Sequence, residues 1–258
     1  MYLKTVKLGH QKVFIEPLGD LHVGNLGFVE EKLKKRVNAI AKERNRYWIG
    51  MGDYIEAIYP TSGGITDKRF THKHIDRRFL TPEDQIDYVV KLLEPIKHKC
   101  FGLLTGNHEW KLEDRYGINI TKMIADRLGV DAFGPMAFIR LFLKGMKTPI
   151  IIFTLHGHYT GRKTGGALNK ITDLASYFDA DIYFMGHVHK RLVHKEDCIT
   201  VQGNEIIQAT RLFALTGSFL RSYSLGVETY VERKALPPGR IGTITVRVDN
   251  DGEIWGYE

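Results

Sequence analysis

The chain has 258 residues, 43% hydrophobic and 26% charged, which is ordinary for a folded soluble protein and enough for one large α/β domain or two small ones. No apolar run is long enough to span a bilayer, and the start, Met1-Tyr2-Leu3-Lys4, carries no apolar signal segment, so a cytoplasmic protein without membrane association is expected. Net charge is +7 with a pI near 9.2, which suits a polyanionic partner, though solubility alone would also explain it. Cys100 and Cys198 have no metal-knuckle spacing, and a reduced compartment without disulfides is expected.

Val13 to Leu18 is the first predicted strand and ends in Gly19-Asp20-Leu21-His22. Val29, Leu33, Val37 and Ile40 then recur at helical spacing between Phe28 and Asn45, with Lys and Arg on the other face. Tyr47 to Met51 is the second strand, followed by Gly52-Asp53-Tyr54-Ile55-Glu56. The stretch over about 61–80 breaks this rhythm with a basic insert from Lys68 to Arg78 that includes His72 and His74, for which a solvated or mobile role is expected rather than metal binding. Thr81-Pro82-Glu83-Asp84 supplies a cap, a first-turn proline and acidic residues for a helix to about Leu93.

Cys100 to Thr105 is the third strand, and Gly106 is expected to let the backbone turn sharply into Asn107-His108-Glu109. A helical stretch follows to about Leu128, with a break at Gly117. Ala137 to Leu143 and Pro149 to Leu155 are strands around Lys144-Gly145, the second ending in His156-Gly157-His158. After a Gly-rich loop containing Arg162 and Lys163, Ala167 to Phe178 is a helix and Asp181 to Met185 a strand ending in Gly186-His187-Val188-His189. Beyond residue 190 the pattern is strand-rich, with runs over 192–201, 205–215 and 242–248, and a hairpin turn at Asp249-Asn250-Asp251-Gly252. No internal repeat or linker is evident, so 1–258 reads as a single domain.

Five predicted strands thus end in metal-competent side chains: Asp20 and His22, Asp53, Asn107 and His108, His156 and His158, and His187 and His189. Open α/β sheets bind ligands beyond the carboxyl ends of their strands. Residues two apart on an extended backbone share a side, which places both members of Asp20/His22 and of His187/His189 toward one site. Imidazole, carboxylate and amide oxygen together suit Mn, with Fe or Zn also compatible, and the number of ligands exceeds what one ion needs, so two divalent metal ions are expected.

These blocks, in this order over about 13–190, resemble the signature of the calcineurin-like metallophosphoesterases. The resemblance implies a four-layer α/β/β/α sandwich of two mixed sheets and a hydrolase acting on phosphoric esters. It implies that Asp20, His22, Asp53 and His189 hold one metal and Asp53, Asn107, His156 and His187 the other, with Asp53 bridging. It further implies attack by a metal-bridging hydroxide, with His108 giving the leaving oxygen its proton. Glu56 and Glu109 are expected to orient ligands rather than bind metal. His158 either contacts substrate phosphate or caps its loop.

The reaction is better specified than the substrate. The basic insert over 61–80 and the Arg162-Lys163 pair both follow metal-bearing blocks and favour a nucleic-acid substrate, DNA or RNA, held through its backbone. The core then looks similar to the nuclease subunits of double-strand-break repair complexes. Only about residues 190–258 remain after it, too few for the added DNA-capping region of those subunits, so no obligatory ATPase partner is expected. A homo-oligomer is compatible with the sequence. The alternatives are a small-nucleotide (cyclic) phosphodiesterase or phosphomonoesterase and, far behind, a non-catalytic scaffold.

Overall fold

Strands with a two-residue apolar period bury one set of side chains between two sheets and the other set beneath helices. The computed structural model describes residues 1–57, 75–158, 163–226, 229–233 and 235–258. Most of the basic insert expected over 61–80, with His72 and His74, lies outside the described residues, as does Arg162.

In chain order the elements are β1 (Tyr2–Lys7), β2 (Lys12–Leu18), α1 (Glu30–Lys42), β3 (Arg46–Gly50), α2 (Pro82–Leu93), β4 (Cys100–Leu103), α3 (Asn107–Tyr116), α4 (Ile120–Leu128), β5 (Met136–Phe142) and β6 (Ile150–Leu155). They continue with α5 (Thr164–Asp173), β7 (Ile182–Met185), β8 (Arg191–Gln202), β9 (Glu205–Ser218), α6 (Tyr230–Arg233), β10 (Gly242–Thr243), β11 (Thr245–Asp249) and β12 (Ile254–Tyr257). One sheet runs β12-β11-β2-β3-β4; the other runs β1-β5-β6-β7-β9-β10, with β8 paired to β9. Both are mixed: β2, β3 and β4 are parallel, as are β6, β7 and β9, while β11 runs against β2 and β12, and β5 runs with β1 but against β6.

The alternation is visible strand by strand. Ile49, Ile152, Ile182, Phe184, Leu212 and Ala214 belong to the core between the sheets. Their neighbours Phe153, Tyr183, Met185, Phe213 and Leu215 pack outward with Ala167 and Ile171 of α5. On the other side Trp48 and Leu103 pack against Leu33, Val37, Val89 and Ile124 of α1, α2 and α4. The result is helices, sheet, sheet, helix: the four layers that the resemblance implies.

The capping signals act as the sequence indicates. Thr81 Oγ1 accepts the Asp84 N–H at 3.1 Å and the Asp84 carboxylate accepts the Thr81 N–H at 3.0 Å. Gly117 closes α3 with φ +68°. Two strand expectations need correction. The strand β1 was not expected, because it is an edge strand with mostly exposed side chains and no buried face to leave a pattern. The run over 242–248 is two strands, since the chain leaves β9 of one sheet after Thr243 and joins β2 of the other at Val246. A continuous apolar run carries no mark of a change of partner. No helix among the described residues is long and apolar enough to cross a membrane.

Parallel β2, β3 and β4 end at one edge of their sheet, and β6, β7 and β9 do the same in theirs. Backbone bonds then lace the ends together. Asp20 N–H donates to Gly52 O at 2.8 Å, and Phe219 N–H, just past β9, donates to Asp20 O at 3.0 Å.

Candidate metal centre

All seven residues expected as ligands meet at these strand ends. His189 Nε2 lies 3.1 Å from Asp20 Oδ1 and 3.1 Å from His22 Nε2. On the other side, Asn107 Oδ1 lies 3.0 Å from His156 Nε2 and 2.6 Å from His187 Nδ1. Asp53 stands between the two groups: its Oδ2 is 3.4 Å from His156 Nε2 and 3.9 Å from His22 Nε2. Potential ligand atoms therefore form the triads Asp20/His22/His189 and Asp53/His156/His187, and His108 forms a third with His22 and Asp53.

Surrounding groups fix which atoms face inward. His22 Nδ1 is 3.0 Å from the Glu56 carboxylate and His156 Nδ1 is 2.7 Å from Met51 O. A proton on each Nδ1 satisfies those acceptors and turns Nε2 toward the centre. His108 Nδ1 lies 2.8 Å from Glu56 O in the same manner. The His108 N–H, at the start of α3, donates to Asp53 Oδ1 at 2.9 Å, and the His187 N–H donates to Asp20 Oδ2 at 3.0 Å. Each aspartate thus keeps one oxygen for the centre. Glu56 and Glu109 are both buried, and each is hydrogen-bonded to groups around the centre. Glu109 binds backbone: it accepts N–H groups of Asp53, Tyr54, Ile55 and Gly106 at 2.7 to 3.2 Å, tying the end of β3 to the start of α3.

The donor set fits cations. Asp20 Oδ1 is buried without a hydrogen-bond partner, although His189 Nε2 is 3.1 Å away, so the two atoms are close but not aligned as donor and acceptor. With its Nδ1 proton directed at Met51, His156 faces two oxygens with Nε2 and must hold a second proton there in the metal-free protein. Burial opposes that charge, but the Asp53 carboxylate overrides it and pushes the His156 pKa up to about 10. Burial and neighbouring His156 pull His187 down to about 4, so this imidazole stays neutral and able to bind metal. Burial also works against a charged His108, yet Asp53 and Glu56 raise its pKa. For Glu109, burial and the Asp53 carboxylate push the pKa up to about 7, against four N–H donors that favour the anion.

Backbone geometry corrects one argument from the sequence. Asp20, His22, Asp53, His187 and His189 all have φ between 49° and 65°. They converge from left-handed turns, not from the alternating sides of extended strands, and each such residue costs about 1–2 kcal/mol of backbone strain. Gly106 is corrected too: its backbone is extended, at φ −88° and ψ 174°, so it is not needed for a turn. It is needed for space, since a Cβ there would sit 2.1 Å from Asp53 N. Because residue 189 is left-handed, His189→Gly should be more stable than His189→Ala by about 1 kcal/mol. Urea denaturation of the two metal-free variants measures this, and equal midpoints would remove the strain argument.

Of the substrate-facing candidates, His158 lines the cleft with its ring 5.9 Å from that of His187, nearly stacked. Lys163 is exposed at the N-cap of α5 and is not among the residues lining the cleft. The cleft encloses about 1410 Å³ and runs from His22 and His189 past α3 to Phe133, and along the segment after β9. That last wall had no signal in the sequence motifs, because it lies beyond their final block.

A two-sheet α/β sandwich with imidazoles and carboxylates converging at the strand ends has the architecture of a metal-dependent hydrolase. Residues 18–191 match the model of the calcineurin-like phosphoesterases, and the chain belongs to that family. It is a metal-dependent phosphoesterase, and the family implies divalent metal ions. No curated protein matches the chain at a significant level. Among solved structures, a predicted phosphoesterase from Streptococcus pneumoniae is 14% identical, with 95% of this chain and 93% of that chain covered and a TM-score of 0.37. A singly substituted Vps29 from Entamoeba histolytica is 13% identical, covers 95% and 96%, and gives 0.45. A metallophosphoesterase from Sphaerobacter thermophilus is 13% identical, covers 95% and 87%, and gives 0.42.

Proposed function

We propose that the chain is a phosphodiesterase acting on DNA or RNA with two divalent ions, Mn foremost. The observation that supports this reading best is the cleft. At about 1410 Å³ it exceeds the roughly 300–1,000 Å³ of small-molecule pockets and extends well beyond the metal-competent cluster. Such a trough suits a polymer passing across the centre better than a closed pocket for one nucleotide.

In this reading Asp20, His22, Asp53 and His189 would hold one ion, and Asp53, Asn107, His156 and His187 would hold the other. Bound ions would supply Lewis-acid stabilisation of the phosphate and lower the pKa of a water. The residues do the rest. Glu56 holds His22 by its carboxylate and His108 by its backbone carbonyl, so both rings keep their inward direction. His108, grouped with His22 and Asp53, lies where it can give a proton to the departing oxygen. His158, at the mouth beside His187, contacts a phosphate. The mixed nitrogen and oxygen donor set supports Mn over Mg or Ca. No ATPase partner is required for this chemistry.

The test is hydrolysis by one Mn-loaded preparation of bis-p-nitrophenyl phosphate, a cyclic nucleotide and a labelled single-stranded oligonucleotide, with His108→Ala alongside. Cleavage of the oligonucleotide, reduced about 10²-fold or more in the variant, is the expected result. Turnover of only the small diesters would replace the nuclease reading with that of a small-nucleotide phosphodiesterase.

A further inference from the structure

We infer that Trp110, Lys111 and Arg221 form a nucleotide subsite beside the metal centre, with the indole stacking on a base and the two cations holding flanking phosphates. This rests on the nucleic-acid reading and specifies it: single-stranded substrate is gripped through a base as well as its backbone.

The placement follows from α3. Asn107 and His108 occupy its first turn, and positions three and four further on lie on the same face. Trp110 is therefore one turn from Asn107, and Lys111 one turn from both Asn107 and His108. Both line the cleft with the metal-competent residues. Arg221 enters that cleft from another direction, on the segment after β9 that is pinned to the centre by Phe219 N–H to Asp20 O at 3.0 Å and by Arg221 N–H to Gly27 O at 2.8 Å.

Each side chain is poised for a ligand. Trp110 is 59% exposed, while Leu112 on the same helix is buried in the core. Among the described residues the indole has neither a hydrogen-bond partner nor a ring contact. A bare indole at a cleft wall is costly to leave in water and offers a flat face to any base, whatever its identity. Nor do Lys111 and Arg221 have an ion-pair or hydrogen-bond partner for their charged groups among the described residues. This contrasts with Lys122 in the same cleft, which is paired to Asp126 at 2.7 Å, and with Lys4, paired to Asp131. Unpaired cations sharing a cleft with an exposed aromatic are the elements of a sequence-tolerant single-strand site.

The probe is a pair of fluorescent 12-mers with cleavage-resistant phosphorothioate backbones, one of thymidines and one of abasic sugars, bound to the Mn-loaded full chain and followed by anisotropy. Wild type should bind the thymidine strand about 5- to 10-fold more tightly than the abasic one. Trp110→Ala should reduce that preference to within about twofold, with Trp110→Phe retaining part of it. Arg221→Ala and Lys111→Ala should each weaken both strands about equally and lower the salt slope by about one ion. All three side chains lie outside the buried core, so melting temperatures should stay within about 2 °C of wild type. Equal wild-type affinity for the two strands, or a base preference that survives Trp110→Ala, would overturn the subsite even if the chain cleaves oligonucleotides. Base-dependent binding without cleavage would keep the subsite and remove the nuclease reading.

Discussion

Asp53→Asn should lower kcat/KM on a phosphodiester by at least roughly 10³-fold, about 4 kcal/mol of transition-state stabilisation, and should leave the metal-free fold intact. The two halves of this expectation come from the two oxygens of one carboxylate. Oδ1 accepts the His108 N–H at 2.9 Å, so the asparagine must keep its carbonyl oxygen there. Its NH₂ then falls in the place of Oδ2, facing His156 Nε2 and His22 Nε2. Without the Asp53 charge that raised its pKa, His156 gives up its second proton, and Nε2 of both rings can accept these hydrogens, so without metal nothing is orphaned. With metal, the oxygen best placed between the two ligand groups is gone. Titrating Mn while following the melting temperature separates the effects: wild type should rise with added Mn, and the variant should start near the wild-type metal-free value and rise little. A variant that retained activity within tenfold would show that Asp53 Oδ2 is not shared by the two groups.

What the sequence made legible was chemical type at structural position. Asp20, His22, Asp53, Asn107, His156, His187 and His189 could be chosen because each follows a short apolar run, and runs of that kind end at a common sheet edge. Their approach was not legible. The left-handed backbone at five of these residues depends on bonds between distant turns, such as Leu21 N–H to Asp53 O at 2.8 Å, which no local pattern encodes. Nor did the motifs reveal the wall formed by Leu220 and Arg221, since β9 reaches the centre only after a long excursion through β8. Lys163 is a separate case. Its nearness to His156 in sequence suggested nearness in space; the structure has it exposed at the start of α5 and not among the residues lining the cleft.

Glu109→Gln makes the same chemical change as Asp53→Asn and should have the opposite consequence for stability: a loss of about 4 kcal/mol and a melting temperature lower by about 10 °C. Oε1 of Glu109 accepts Tyr54 N–H at 2.7 Å and Ile55 N–H at 3.2 Å, and Oε2 accepts Asp53 N–H and Gly106 N–H, both at 2.9 Å. A glutamine NH₂ replacing either oxygen turns donors against two buried donors, and each N–H left without an acceptor costs about 1–3 kcal/mol. Activity should fall with stability, because the released bonds are those that set Asp53 and the first turn of α3 in register. The loss should be visible with Mn absent, which separates it from any effect on metal affinity. An unchanged melting temperature would instead mean that Glu109 already carries a proton in the folded chain, as its raised pKa of about 7 permits, and that the neutral side chain serves equally well. The two substitutions thus distinguish a carboxylate that faces the metal centre from one that binds the backbone around it, although both are buried and lie in adjacent turns.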